Sequence, residues 1–150
     1  DLREANLKGT QLGYGSHFIG ADLRGADLEG ARGRTAVFDY AIMAGVNMTD
    51  FYVYQGSAIK TDFRGANLES ATFHQSDLDG ANFSGANLTG ASFGSSSLKG
   101  VNFSNANLSG ASFGGADLEG ADMTETDTSS AIFCNTIMPN GDVNNSGCDK

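Results

Sequence analysis

Residues 61–95 read TDFRG ANLES ATFHQ SDLDG ANFSG ANLTG ASFGS, seven five-residue units with Leu or Phe at the third position of each. A small residue, usually Ala, opens the unit; a small polar residue follows, and the last two are mostly polar or Gly. A period of five fits neither the 3.6 of a helix nor the 2 of a long strand, so the chain must turn every five residues. With the Leu or Phe inward, the small residue two places before it also points inward. The other three go to the surface and the corners, where Gly, Asn, Ser and Asp tolerate turn conformations.

The third positions alternate from Phe63 through Leu68, Phe73, Leu78, Phe83, Leu88, Phe93, Leu98, Phe103, Leu108 and Phe113 to Leu118. That alternation favours an even number of faces. With four faces, residues twenty apart stack in uniform columns, Phe63 over Phe83 over Phe103 and Phe73 over Phe93 over Phe113. Three or five faces would mix Phe and Leu in each column. Each Leu or Phe so buried contributes about 1.5 to 3 kcal/mol. The pattern extends upstream to ADLRG and ADLEG at 21–30, while residues 1–12 run one place out of frame, which puts one extra residue between Leu12 and Phe18.

Over about residues 1–138 the units, A(D/N)LXX, resemble those of the pentapeptide repeat family. The resemblance implies an all-β fold, a right-handed quadrilateral β-helix with four units per coil and about seven coils. At a strand spacing of ~4.8 Å that is a rod roughly 33 Å long. The expected organisation is a β-helix over 1–138 and a C-terminal cap and tail over 139–150.

A chain of 150 residues fits one domain. Its net charge of −9 is uneven: residues 1–60 carry seven acids and six bases, residues 101–150 seven acids and one base. Such a balance disfavours nucleic acid and anionic membrane surfaces as partners, and no apolar run approaches the ~18 residues of a membrane span. The start at Asp1, with no Met or signal-like segment, is expected of a mature protein after removal of a targeting segment, or of a trimmed chain.

A stack of strands must be capped at its open ends. Phe133 and Met138 keep the repeat frame, but Pro139 has no N–H for a further ladder. Residues 140–147 have turn composition, with Val143 the one large side chain available to point inward. Cys134 and Cys148 would close a loop of about 15 residues, which stabilises by ~3 kcal/mol if they pair. A clasp from the last coil to the cap is expected; two reduced thiols or a redox-active pair are the alternatives. Zinc is disfavoured, because His17 and His74 lie far upstream. The ending TIMPNGDVNNSGC resembles the cysteine-bracketed tail of pentapeptide repeat proteins from the thylakoid lumen of cyanobacteria and plants. That resemblance implies a lumenal protein, a compartment that a disulfide fits better than the cytosol.

The pattern breaks most between Arg32 and Lys60. Gly33 and Ala58 replace the inward Leu or Phe, Phe51 takes a slot otherwise held by Ala, Thr or Ser, and Val37, Ile42, Tyr52 and Ile59 stand where polar residues are expected. On four faces, Arg32 and Arg34, Tyr52 and Tyr54, and Thr72 and His74 would share one side. The candidate interface is therefore Arg32, Arg34, Val37, Ile42, Tyr52, Tyr54, Ile59 and His74, in a composition that protein interfaces favour. The competing account is local: the tyrosines cover the gaps at Gly33 and Ala58, and the arginines pair with nearby acids.

No nucleophile, base or metal set stands at motif spacing, so no catalytic residue, cofactor or metal is expected. The function expected is a non-enzymatic, monomeric rod of the thylakoid lumen that docks on a protein, such as the lumenal side of a photosystem. Two alternatives are a DNA-mimicking, gyrase-binding rod, which another branch of the family suggests, and a lumenal thiol-disulfide component.

Overall fold

The computed structural model describes residues 1–148; Asp149 and Lys150, the end of the expected tail, lie outside the described residues. Four short strands form a parallel sheet in the order β1 (Gln11–Leu12), β2 (Arg32–Arg34), β3 (Tyr52–Tyr54) and β4 (Thr72–His74). From β2 onward partners are twenty residues apart, Val53 against Phe73 and Tyr54 against His74. Single parallel bridges repeat that offset on the other sides, as in Asp62 to Asn82 to Asn102 and Asn67 to Asn87 to Asn107. Twenty residues per coil and five per side make four faces, as the Phe and Leu alternation requires. In the first coil the offset is twenty-one, Leu12 against Gly33 and Asn6 against Asp27, before His17 pairs with Val37. The extra residue between Leu12 and Phe18 accounts for the change.

Face 1 is the column Leu12, Gly33, Val53, Phe73, Phe93, Phe113, Phe133; face 2 follows it through Phe18, Phe38, Ala58, Leu78, Leu98 and Leu118. Face 3 carries Leu23, Met43, Phe63, Phe83 and Phe103, and face 4 Leu28, Met48, Leu68, Leu88 and Leu108. Almost all of these side chains are buried. Along a column the rings stack nearly parallel, Phe63 on Phe83 at 4.7 Å and Phe93 on Phe113 at 5.3 Å. Across the core, rings of faces 1 and 3 meet edge-on, Phe63 against Phe73 at 6.2 Å and Phe83 against Phe93 at 5.9 Å. Both geometries suit the aromatic quadrupole.

Most corners are tight turns in which the N–H of the next small residue donates to the inward residue's carbonyl, as Ala91 N does to Leu88 O at 3.0 Å. The residue that closes the unit has positive φ, +66° at Gly85 and +56° at Asp50, which explains the Gly, Asn, Asp and Ser there. Buried hydroxyls at some small-residue positions satisfy carbonyls one coil away: Thr61 Oγ1 donates to Phe38 O, Ser96 Oγ to Phe73 O and Thr136 Oγ1 to Phe113 O, at 2.7 to 2.8 Å.

At the C-terminal end the stack is closed by an antiparallel hairpin, β5 (Thr136–Ile137) against β6 (Val143–Asn144). Gly147 N donates to Phe133 O at 2.7 Å, and the disulfide Cys134–Cys148, with Cα atoms 4.6 Å apart, holds the hairpin to the last coil. Val143 does not point inward; it is 60% exposed, because antiparallel pairing with Ile137 turns its side chain away from the stack.

Candidate functional site

The corners after β2, β3 and β4 depart from that common turn. Instead of closing back on the inward carbonyl, Gly56 N donates to Ser76 Oγ at 3.2 Å and Ser76 N to Ser96 Oγ at 2.9 Å. The chain therefore stays extended for three residues on face 1. Side chains on either side of each inward residue project outward as two parallel walls. One wall is Gln11, Arg32, Tyr52 and Thr72; the other is Arg34, Tyr54 and His74.

Tyr14, which the sequence reading did not single out, belongs to the second wall. The extra residue lifts Gly13–Tyr14–Gly15 out of the coil, with Gly15 at φ +67° and its N–H donating to Thr35 Oγ1 at 3.0 Å. Tyr14 is 76% exposed and its Oη accepts from Arg34 Nη1 at 3.0 Å. The Arg34 guanidinium lies between two rings, 5.7 Å from the centroid of Tyr14 and 5.1 Å from that of Tyr54, a cation–π sandwich. Tyr54 stacks in turn on His74 at 6.0 Å, and His74 rests over Gly94, where an added Cβ would stand 3.1 Å from its ring. The buried His74 Nδ1 has no hydrogen-bond partner among the described residues.

The arginine half of the competing local account finds no ion pair among the described residues. Phe51 is fully buried against Phe38 at 6.0 Å and Phe73 at 5.8 Å, whereas Tyr52 remains 37% exposed. Arg3, Lys8, Arg24, Arg64 and Lys99 all contact carboxylates within 4.0 Å, but among the described residues Arg32 and Arg34 contact none. The paired acids respond: Arg24 donates to Asp22 and lowers its pKa to about 2, and Arg64 lowers that of Asp62 in the same way.

The eight candidate positions do not make one surface. Arg32, Arg34, Tyr52, Tyr54 and His74 stand together on face 1. Val37 and Ile59 flank the face 2 column, in line with His17, Ser57 and Asp77 and beside Asp39, while Ile42 lies on face 3 between Asp22 and Asp62. Residues two apart along one unit share a face, but a shift of five moves to the next; Ile42 is thus a single exposed apolar side chain, which needs no special account.

Face 1 also holds an open groove of about 410 Å³, lined by Gln11, Leu12, Gly13, Tyr14, Arg32, Gly33, Arg34 and Tyr52. Face 4, by contrast, is tied up in a side-chain ladder, Asn47 to Asp27 and Asn87 to Asn67 at 3.0 Å. No cluster able to hold a metal ion occurs among the described residues, and no helix is long and apolar enough to cross a membrane.

A family model described as pentapeptide repeats matches residues 16–51, 55–85, 86–124 and 102–140 in eight copies. No curated protein matches the chain significantly. Among solved structures, Rfr23, a pentapeptide repeat protein from the cyanobacterium Cyanothece 51142, superposes with a TM-score of 0.54 at 21% identity, covering 84% of this chain and 86% of that one. Full-length QnrB1, a plasmid-mediated fluoroquinolone resistance protein, gives 0.50 at 20% identity, covering 94% and 84%. A pentapeptide repeat protein from the Arabidopsis thaliana thylakoid lumen is 30% identical over 81% of this chain and 70% of that one, with a TM-score of 0.37.

Proposed function

The chain belongs to the pentapeptide repeat family, and we propose that it acts as a rigid, non-enzymatic docking rod of the thylakoid lumen, binding a protein partner through face 1. One observation carries the reading. Arg32 and Arg34, which contact no carboxylate among the described residues of an acidic protein, share a face with Tyr14, Tyr52 and Tyr54. Arg and Tyr are the residue types that dominate binding energy at protein interfaces, and the β-helix behind them holds their spacing fixed.

The lumenal assignment rests on the resemblance of the TIMPNGDVNNSGC tail and on the Cys134–Cys148 bridge, since disulfides persist in oxidising compartments. A membrane complex with a lumenal surface, such as a photosystem, is the partner this location favours. DNA mimicry draws less support, because it needs continuous acidic surface and residues 81–116 carry a single charged side chain, Lys99.

Recovery of partner from solubilised thylakoid membranes on oxidised wild-type protein and on the Tyr52→Ala, Tyr54→Ala double variant tests the reading. A complex retained by the wild type and lost by the folded variant is expected; equal recovery on both would reject face 1 as the docking face.

A further inference from the structure

Resting on that reading of face 1, we infer that its groove takes an extended acidic segment of the partner, one carboxylate of which is clamped between Arg32 and Arg34. Arg32 and Arg34 flank Gly33 on one strand, so their side chains rise from opposite walls. Residues two apart on a strand are separated by about 6.5 to 7 Å, a width that admits one carboxylate or the edge of an extended chain. The floor at Leu12 and Gly33 projects no side chain between the walls, because both positions face the core.

The two cations are placed differently. Arg34 is fixed by the rings of Tyr14 and Tyr54 and spends Nη1 on Tyr14 Oη, which leaves Nε and Nη2 to donate at little further cost in rotamer freedom. The Arg32 guanidinium has no hydrogen-bond partner among the described residues. Tyr14 and Tyr52, at diagonal corners of the groove, offer apolar area to the side chains beside the clamped carboxylate. The volume of about 410 Å³ lies in the usual range of small-ligand sites, and the groove is open rather than enclosed, as a segment of chain requires.

Charge selects among anions. A long polyanion that ran past the groove would meet Asp39, Asp77 and Asp79 on face 2 or Asp27 and Glu29 on face 4, on a protein of net charge −9. An isolated carboxylate inside a protein segment gains both arginines and avoids those acids. The carboxylate clamp thus discriminates between protein partners and excludes nucleic acid.

The test uses two blocked peptides, acetyl-Phe-Glu-Phe-Gly-amide and its Gln analogue, titrated into the uniformly labelled oxidised protein and followed by amide NMR. Saturable shifts are expected at 11–14, 32–34 and 52–54, with the Glu peptide bound about tenfold more tightly than the Gln peptide. R32Q or R34Q should abolish that preference, R32K should keep most of it, and R64Q, which removes an arginine paired elsewhere, should leave it unchanged; melting curves confirm folding of each. Equal affinity for the two peptides, no saturable shift, or a preference that survives in the R32Q, R34Q double variant would overturn the proposal. So would acetate that matches the peptide in affinity, or protein self-association that produces the same shifts without peptide. Loss of partner recovery in the tyrosine variant alongside equal peptide affinities would leave face 1 as the docking face and remove only the carboxylate clamp.

Discussion

A Cβ built on Gly56 would stand 2.5 Å from Val53 Cγ2 and 2.8 Å from the Ala36 carbonyl oxygen, whereas one on Gly85 would meet nothing within 4 Å. The two glycines therefore serve different needs, close packing at the face 1 corner and a left-handed turn at φ +66°. Gly56→Ala is expected to cost about 1 to 3 kcal/mol through overpacking, and Gly85→Ala about 1 to 2 kcal/mol through backbone strain. Urea unfolding of both variants checks this; a neutral Gly56→Ala would refute the close packing. Ionisation at the residue scale has a definite sign. Asp22 and Asp62 have pKa values lowered by hydrogen bonds from Arg24 and Arg64, so their stabilisation is complete above the ordinary value of 3.8 and is lost as pH falls through the folded-state values. The melting temperature should be flat from about pH 5 to 7 and decline below about pH 4, with a shallower decline in Arg24→Gln and Arg64→Gln. Because both arginines are exposed and screened by solvent, the effect is small; an acid limb identical in wild type and both variants would count against the ion pairs.

Columns are the elements that hold the rod. Leu88 is fully buried in mid-column on face 4, and Leu88→Ala should cost about 2 to 5 kcal/mol; an unchanged melting temperature would contradict the inward register. The hairpin is a separate element. Replacing both Cys134 and Cys148 by Ser is expected to remove up to ~3 kcal/mol, with the Gly147 amide, which donates to Phe133 O, losing hydrogen-exchange protection before the amide of Leu88, which donates to Asn107 O. Simultaneous loss at both sites would mean that the cap is not an independent element. Elements were unequally legible in the sequence. The columns were, because an alternation of Phe and Leu with period ten survives only on an even number of sides. The hairpin was not, since β6 lies outside the repeat and pairs antiparallel with β5 of the last coil, and Val143 consequently faces solvent. Tyr14 escaped for a similar reason: counting puts it at the corner of the Leu12 unit, and the extra residue lifts it from there to the wall beside Arg34. Phe51 stood out as a departure, yet its place between the rings of Phe38 and Phe73 depends on a residue of the small-residue column carrying a large side chain into the core.

At the scale of the molecule, an acidic four-sided rod shows on face 1 two arginines that contact no carboxylate among the described residues, two exposed tyrosines, Tyr14 and Tyr52, and an open groove. The other sides include charges paired with one another, a ladder of Asn and Thr side chains that hydrogen-bond to one another, the face 2 acids Asp39, Asp77 and Asp79, and exposed apolar side chains at Ile19, Tyr40 and Ile42. The central claim is that a partner docks on face 1 and not elsewhere. It is tested most directly by a photo-crosslinking amino acid placed at Tyr52 on face 1 or at Asp77 on face 2, with the oxidised protein incubated with solubilised thylakoid membranes. The account predicts one discrete adduct from position 52 and none from position 77. Adducts from 77 alone, or in equal yield from both positions, would contradict it.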